Sequence, residues 1–216
     1  MIIDCISDLH GYTPKLQGGD LLLVAGDVTN GDRAEDFKAF IKWLEVQPYA
    51  KKVFIAGNHD NFLYEDFLKD ENTLQYASNI SYLCDSGTEF DGLKIWGSPW
   101  TKNFVGQNPL CKAFGLGLEI QLEEKFDFVP SDIDILITHS PPNGIFDAIR
   151  TDNVGSTSLR TKVQKLPKLQ LHVFGHIHEG YGHQETNGIQ FVNASFVNEY
   201  YDPIHQPIQI VIKDNG

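Results

Sequence analysis

Apolar residues in this chain gather in short runs at positions 2–6, 21–25, 53–56, 133–138 and 171–174. These runs lack a regular polar alternate, which is the pattern of strands covered on both faces. Between the second and third runs lies AEDFKAFIKWLEVQP, residues 34–48. Here Phe37, Phe40, Ile41 and Leu44 recur at helical spacing, acids open the stretch and Pro48 closes it. The spacing predicts a helix. FLYEDFLK (62–69), LGLEIQLEEKF (116–126) and STSLRTKVQKL (156–166) predict three more. Strand–helix–strand alternation of this kind implies an α/β fold with right-handed crossovers.

The texture changes between residues 80 and 98. ISYLCD, TEF, the Asp91–Gly92 pair and LKIWG read as strands turning back through a hairpin. GIQFVNAS and PIQIVIK predict further strands near the C-terminus. Two sheets packed together with helices outside are therefore expected, within one domain over 1–216. Pro, Gly and Asn between Gly97 and Gly117 predict a long loop, which in a compact domain tends to carry function.

A length of 216 residues suffices for a substantial core. The net charge of −12 argues against non-specific binding to double-stranded nucleic acid or an anionic membrane, either of which needs a basic face. Three widely spaced cysteines, Cys5, Cys84 and Cys111, read as reduced thiols in a cytoplasmic chain. MIIDCISDLHG does not read as a signal peptide, and the longest apolar run, 21–25, is too short to span a bilayer.

Chemistry enters at the strand ends. The first predicted strand is followed by Asp8-Leu9-His10-Gly11, the second by Gly26-Asp27 and the third by Gly57-Asn58-His59-Asp60. His139 closes the fourth, and Gly175-His176-Ile177-His178 follows the fifth. Each motif alone has an ordinary reading as a turn, a cap or a surface histidine. Their conjunction does not, because the carboxyl ends of strands in an open α/β sheet converge on one crevice. Two cations about 3.5–4 Å apart need a shared ligand, and Asp27, preceded by Gly26, is the expected bridge. Imidazole nitrogen with carboxylate and amide oxygen suits manganese, iron or zinc.

So assembled, the sequence resembles the calcineurin-like metallophosphoesterase superfamily, whose pattern is D-x-H, G-D, G-N-H-[DE], H and G-H-x-H in that order. SDLHG, AGDVTN, AGNHD, IWGSPW, DILITHSPPNG, HVFGHIHEGYG and VNAS further resemble its metallophosphoesterase-domain-containing branch, which includes cyclic-nucleotide phosphodiesterases. The resemblance implies a four-layer α/β/β/α sandwich of two mixed sheets flanked by helices. It implies that Asp8, His10, Asp27 and His178 hold one divalent metal ion, and Asp27, Asn58, His139 and His176 a second. The two histidines of GHIH then serve different ions, so the chain should leave strand geometry there. His59 matches the catalytic histidine that does not ligate. One departure stands out: Asn30 occupies the place where Ser/Thr protein phosphatases carry the aspartate that orients this histidine.

The expected activity is hydrolysis of small phosphodiesters, cyclic nucleotides above all, by hydroxide activated between two metals, with His59 as general acid. The rivals are a phosphomonoesterase using the same site, acting on nucleotides or proteins, and a non-catalytic interaction module on the same fold. Arg150 is a weaker expectation as a phosphate contact, set against an ordinary surface arginine. Phe62, Trp100, Phe104 and Tyr181 are weighed as an aromatic platform for a base, against plain packing. Asp60 reads as orienting a neighbour or capping a helix, and His172 as structural. His183, His205 and Ser195 receive no role. Oligomeric state is left open.

Overall fold

All five apolar runs are strands in the computed structural model, which describes residues 1–30, 34–69, 75–103 and 107–212. The chain opens with β1 (Ile2–Ile6), β2 (Gly19–Ala25), α1 (Ala34–Glu45), β3 (Tyr49–Ile55), α2 (Asn61–Lys69) and β4 (Ile80–Tyr82). It continues through β5 (Ser86–Phe90), β6 (Leu93–Ser98), β7 (Thr101–Lys102), β8 (Gly115–Leu116), α3 (Glu119–Phe126) and β9 (Ile135–Thr138). The last part comprises β10 (Ala148–Ile149), β11 (Asp152–Asn153), α4 (Thr157–Val163), β12 (Leu171–Phe174), β13 (Gly182–Thr186), β14 (Ile189–Asn193) and β15 (Ile208–Val211).

Two large sheets result, ordered β15-β1-β2-β3-β4 and β13-β14-β12-β9-β6-β5. Both are parallel inside. The antiparallel strands β15, β13 and β5 lie at edges. Period-two pleating sorts the side chains. Ile3, Cys5, Leu21, Leu23, Val53 and Ile55 of the first sheet meet Ile95, Ile135, Ile137, Leu171, Val173 and Val192 of the second in a core between the sheets. Alternate residues Leu22, Val24 and Phe54 face outward and are covered by Phe37, Phe40 and Leu44 of α1. On the opposite outer face Leu136, Phe174 and Phe191 belong to the core that includes residues of α3 and α4. This is the expected mixed α/β architecture, two sheets face to face with helices outside.

Local chemistry fixes the element ends. Buried Lys52 donates from Nζ to the Glu45 carbonyl at 2.7 Å, satisfying the last turn of α1, where helical carbonyls lack backbone partners. Ser156 caps α4 by accepting from Leu159 N at 3.1 Å. Asp91 and Gly92, at φ 50° and 76°, make the two-residue turn between β5 and β6.

Two expectations are refined. ISY does not join the hairpin: β4 pairs in parallel with β3 in the first sheet, and the chain changes sheets before β5. The 97–117 segment is not wholly irregular, since β7 and β8 pair within it. The sheets also meet at one end. Ser7 bridges Ser195 beyond the ends of β1 and β14, with Ser7 N donating to Ala194 O and Phe196 N to Ser7 O, each at 2.8 Å. The candidate ligands lie at that end.

Candidate metal centre

Beyond β1, β2 and β12 the backbone turns sharply. Asp8, His10, Asp27 and His176 all have left-handed φ, at 52°, 43°, 51° and 68°. Such values are rare for residues with a Cβ and gather where function demands them. GHIH does leave strand geometry as expected: His176 is left-handed, and His178 opens a short 3-10 turn over His178–Gly180. Glycine makes the convergence possible. A Cβ on Gly26 would lie 2.7 Å from both the Ala56 carbonyl and His139 Nδ1, and one on Gly175 would overlap the Asp8 carboxylate.

The predicted residues come together. His139 Nε2 lies 2.9 Å from Asn58 Oδ1 and 3.3 Å from Asp27 Oδ1. His10 Nε2 lies 3.8 Å from Asp27 Oδ2 and 3.4 Å from His178 Nε2, which is 3.4 Å from Asp8 Oδ1. Asp27 thus touches both halves of the cluster, as a bridging carboxylate must. His176 stacks edge-on to His139 with ring centroids 4.9 Å apart. Three overlapping triads among the described residues place their donor atoms within one ion's reach: Asp8–His10–His178, His10–Asp27–His59 and Asp8–Asp27–His139.

The outer contacts decide which atoms point inward. His139 Nδ1 sits 3.0 Å from the Ala25 carbonyl, and His178 Nδ1 3.0 Å from the Asn198 carbonyl. A carbonyl only accepts, so each Nδ1 carries a proton, and when the ring is neutral its Nε2 turns a lone pair toward the cluster. Asn58 Nδ2 donates to the Cys111 carbonyl at 3.1 Å, which turns Oδ1 inward. With those rings neutral, imidazole nitrogen, amide oxygen and carboxylate around Asp27 would all present lone pairs to one another. Such a donor set fits a divalent cation and is ill-matched without positive charge.

With no cation among them, these groups draw the compensating positive charge from imidazole protons instead. Burial favours a neutral Asp27, yet the His139 and His59 charges hold it well below the usual carboxylate range. Burial likewise opposes charge on Asp8, and the His178 hydrogen bond and charge lower it far more. At His139 burial is outweighed by Asp27, and the ring is pushed up to about 9. Burial wins at His10 and His176, pulling them to about 4 and about 3.

Several supporting contacts were not assigned from the sequence. Ser195 Oγ lies 2.8 Å from both Asp8 Oδ2 and Asn193 Oδ1, two acceptors for its single proton. The His176 amide donates to Asp8 Oδ2 at 3.0 Å, and the His59 amide to Asp27 Oδ1 at 2.8 Å. Tyr201, left-handed at φ 65°, lays its ring 4.7 Å from that of His10 and 5.2 Å from that of His178. Asp60 ties two site loops together by accepting from Gly57 N, Val28 N, Thr29 N and Thr29 Oγ1 at 2.8–3.2 Å. Burial and the Asp27 charge raise it to about 6. Orienting a neighbour is thus the better of its two expected roles.

A cleft of about 250 Å³ opens on the cluster, lined by Asp27, Asn58, His59, His176 and His178 among others. His59 Nε2 lies 3.9 Å from Asp27 Oδ2, and its Nδ1 faces Cys111 Sγ at 3.5 Å. Asn30 borders a neighbouring depression together with His59 and Cys111. Arg150 is exposed in the β10–β11 turn, at φ 56°, beside Ile149 of the cleft wall. The aromatic platform does not form. Trp100 is buried against Phe114 at 5.5 Å, Phe62 packs on Phe37 at 5.4 Å, and Tyr181 stacks on His205 at 4.0 Å. Phe104 lies outside the described residues. His172 is structural as expected, fully buried with Nε2 2.8 Å from Thr138 Oγ1.

A family model described as calcineurin-like phosphoesterase matches residues 1–180. The chain is 36% identical to metallophosphoesterase domain-containing protein 1 of Homo sapiens, over 95% of this chain and 69% of that protein. It is 33% identical to a UPF0046 protein of Caenorhabditis elegans, over 93% of this chain and 78% of that one. Among solved structures, TT1561 of Thermus thermophilus superposes with a TM-score of 0.62, covering 89% of this chain and 88% of that one at 15% identity, a likeness of fold. With the motifs in order and their side chains gathered at one end of the paired sheets, the chain belongs to the calcineurin-like phosphoesterase family of metal-dependent phosphoester hydrolases.

Proposed function

We propose that the chain hydrolyses small phosphodiesters, with cyclic nucleotides the leading class, at a centre held by the seven ligands predicted above. The observation that carries this is the inward set of Nε2, amide and carboxylate lone pairs around Asp27, fixed from outside by the Ala25, Asn198 and Cys111 carbonyls. Asp8, His10, Asp27 and His178 would hold one cation, and Asp27, Asn58, His139 and His176 the other. Two bound divalent ions supply Lewis acidity, which makes water nucleophilic near neutral pH and offsets phosphoryl charge. Manganese, iron and zinc all suit the donors.

The remaining work falls to the chain. The ligand loops would position water and phosphoester for in-line displacement, a new phosphorus–oxygen bond forming as the opposite one breaks. His59 lines the cleft without belonging to either ligand set, and delivers a proton to the departing oxygen. Cys111 Sγ, facing His59 Nδ1, steadies that ring in place of the aspartate that Asn30 replaces. Arg150, on the turn next to the cleft, is kept only as a peripheral phosphate contact.

The test is turnover of bis-p-nitrophenyl phosphate by manganese-loaded protein. A panel of 2′,3′- and 3′,5′-cyclic nucleotides, mononucleotides and phosphopeptides follows. Diester turnover exceeding monoester turnover supports the reading. Preferred cleavage of mononucleotides or phosphopeptides replaces it with a phosphomonoesterase, and no turnover by fully loaded protein leaves an interaction module.

A further inference from the structure

Within the cluster, His10 is held differently from its neighbours. His139 and His178 each rest Nδ1 on a backbone carbonyl, at 3.0 Å in both cases. Nδ1 of His10 is buried, and among the described residues none accepts a hydrogen bond from it. A hydrogen bond from the outer nitrogen is the usual means of fixing a ligating imidazole in orientation. For His10 that task falls to ring contacts. Its imidazole meets His59 with centroids 4.6 Å apart at 78°, and Tyr201 with centroids 4.7 Å apart at 66°. Both are edge-on contacts, the arrangement that ring quadrupoles favour. Tyr201 is itself strained. Its φ of 65° is an outlier for a bulky side chain, and such strain persists only where the surroundings over-determine it. They do so here. The Tyr201 amide donates to the Asn198 carbonyl at 2.9 Å, the same oxygen that His178 Nδ1 meets. Asn198 Oδ1 accepts from Tyr200 N at 3.0 Å and from Asp202 N at 2.9 Å, closing the loop around Tyr201. Tyr12 Oη donates to the Tyr201 carbonyl at 3.4 Å. Tyr201 lines the cleft with 42% of its surface exposed, while the His10 side chain beside it keeps 1%.

From this geometry we infer that Tyr201 is the positioning residue for His10. Its ring stands in for the missing outer hydrogen bond. It keeps His10 Nε2 turned toward Asp27 Oδ2, 3.8 Å away, and His178 Nε2, 3.4 Å away. The inference rests on the reading of this cluster as a metal centre. It assigns the ring and not the hydroxyl, because an edge-on contact needs only the aromatic body. It also distinguishes the two cations. The ring contacts of Tyr201 within the site are with His10, His178 and His59, two ligands of the first set and none peculiar to the second.

The test is manganese affinity by competition with a chelator, with the thermal melt of metal-free protein as the check on folding. Tyr201→Ala should weaken one of two bound ions by about 10-fold, the lower end of what an outer partner is worth, and spare the other ion and the metal-free melt. Tyr201→Phe should match the parent. Tyr201→Gly relieves the left-handed backbone but removes the ring, so it should bind as weakly as the alanine variant. Parent-like affinity in both variants that lack the ring overturns the inference. A phenylalanine variant as weak as alanine also overturns it, since the hydroxyl would then carry the effect. So does loss of both ions with a lowered metal-free melt, which would make Tyr201 a structural residue only. Parent protein that binds no manganese overturns the metal-centre reading itself, and the inference with it.

Discussion

At the scale of single residues, the proposed ligands are fixed from behind by hydrogen bonds to groups outside the cluster. Ser195 shows this best, since its hydroxyl fixes one oxygen of Asp8 although no catalytic motif contains it. Ser195→Ala should leave the fold intact and weaken metal binding by roughly 10–100-fold, the usual cost of an outer partner, as read by competition with a chelator. Asp27→Ala should cost more, emptying at least one site by elemental analysis. A fully loaded variant would contradict the bridging role. His59→Ala should keep its metals and lose most turnover on esters with poor leaving groups, while p-nitrophenyl esters, which need little protonation, are spared. Cys111→Ala should show the same leaving-group bias in milder form, and Cys111→Ser should largely remove it. Equal losses on both ester types would rule out a positioning role.

At the scale of elements, the site depends on strands ending where glycine lets neighbouring loops touch. Gly175 follows β12 with the Asp8 carboxylate where a Cβ would lie, so Gly175→Ala must displace that carboxylate or the strand end. The expected result is loss of bound metal with a lowered melting temperature, whereas full loading would mean that the Asp8 loop yields easily. The helices act from further away. Phe54 on β3 meets Phe37 and Phe40 of α1 with ring centroids 6.3 and 5.3 Å apart. Phe54→Ala should cost about 3–5 kcal/mol in denaturant unfolding, the usual range for a buried phenylalanine.

For the molecule as a whole, the metals should be part of its stability. Two buried aspartates and several buried imidazoles share a small volume. A cation that binds the folded chain at 100 times its Kd adds about 2.7 kcal/mol. Chelator should therefore lower the melting temperature, and manganese should restore it. An unchanged melt on complete metal removal would argue against a preformed centre. Imidazole ligates only when neutral at the binding nitrogen, so metal affinity should rise from mildly acidic to mildly alkaline buffer, with protons released on loading.

Much of this was legible in the chain. Strands β1 and β12 match their apolar runs end to end, because strands covered on both faces leave an unbroken apolar signature. The ligand motifs were readable for a related reason, since each follows such a strand and must lie at its carboxyl end. What the sequence could not decide was orientation. That Nδ1 of His139 and His178 would meet distant carbonyls, that Ser195 would reach Asp8 across 187 positions, and that Trp100 would turn inward to Phe114 all depend on how the two sheets pack. The partition of β4 and β5 between sheets belongs there too. Local pattern records which residues are buried and where strands stop. Only the relative placement of two twisted sheets determines which atoms then face one another.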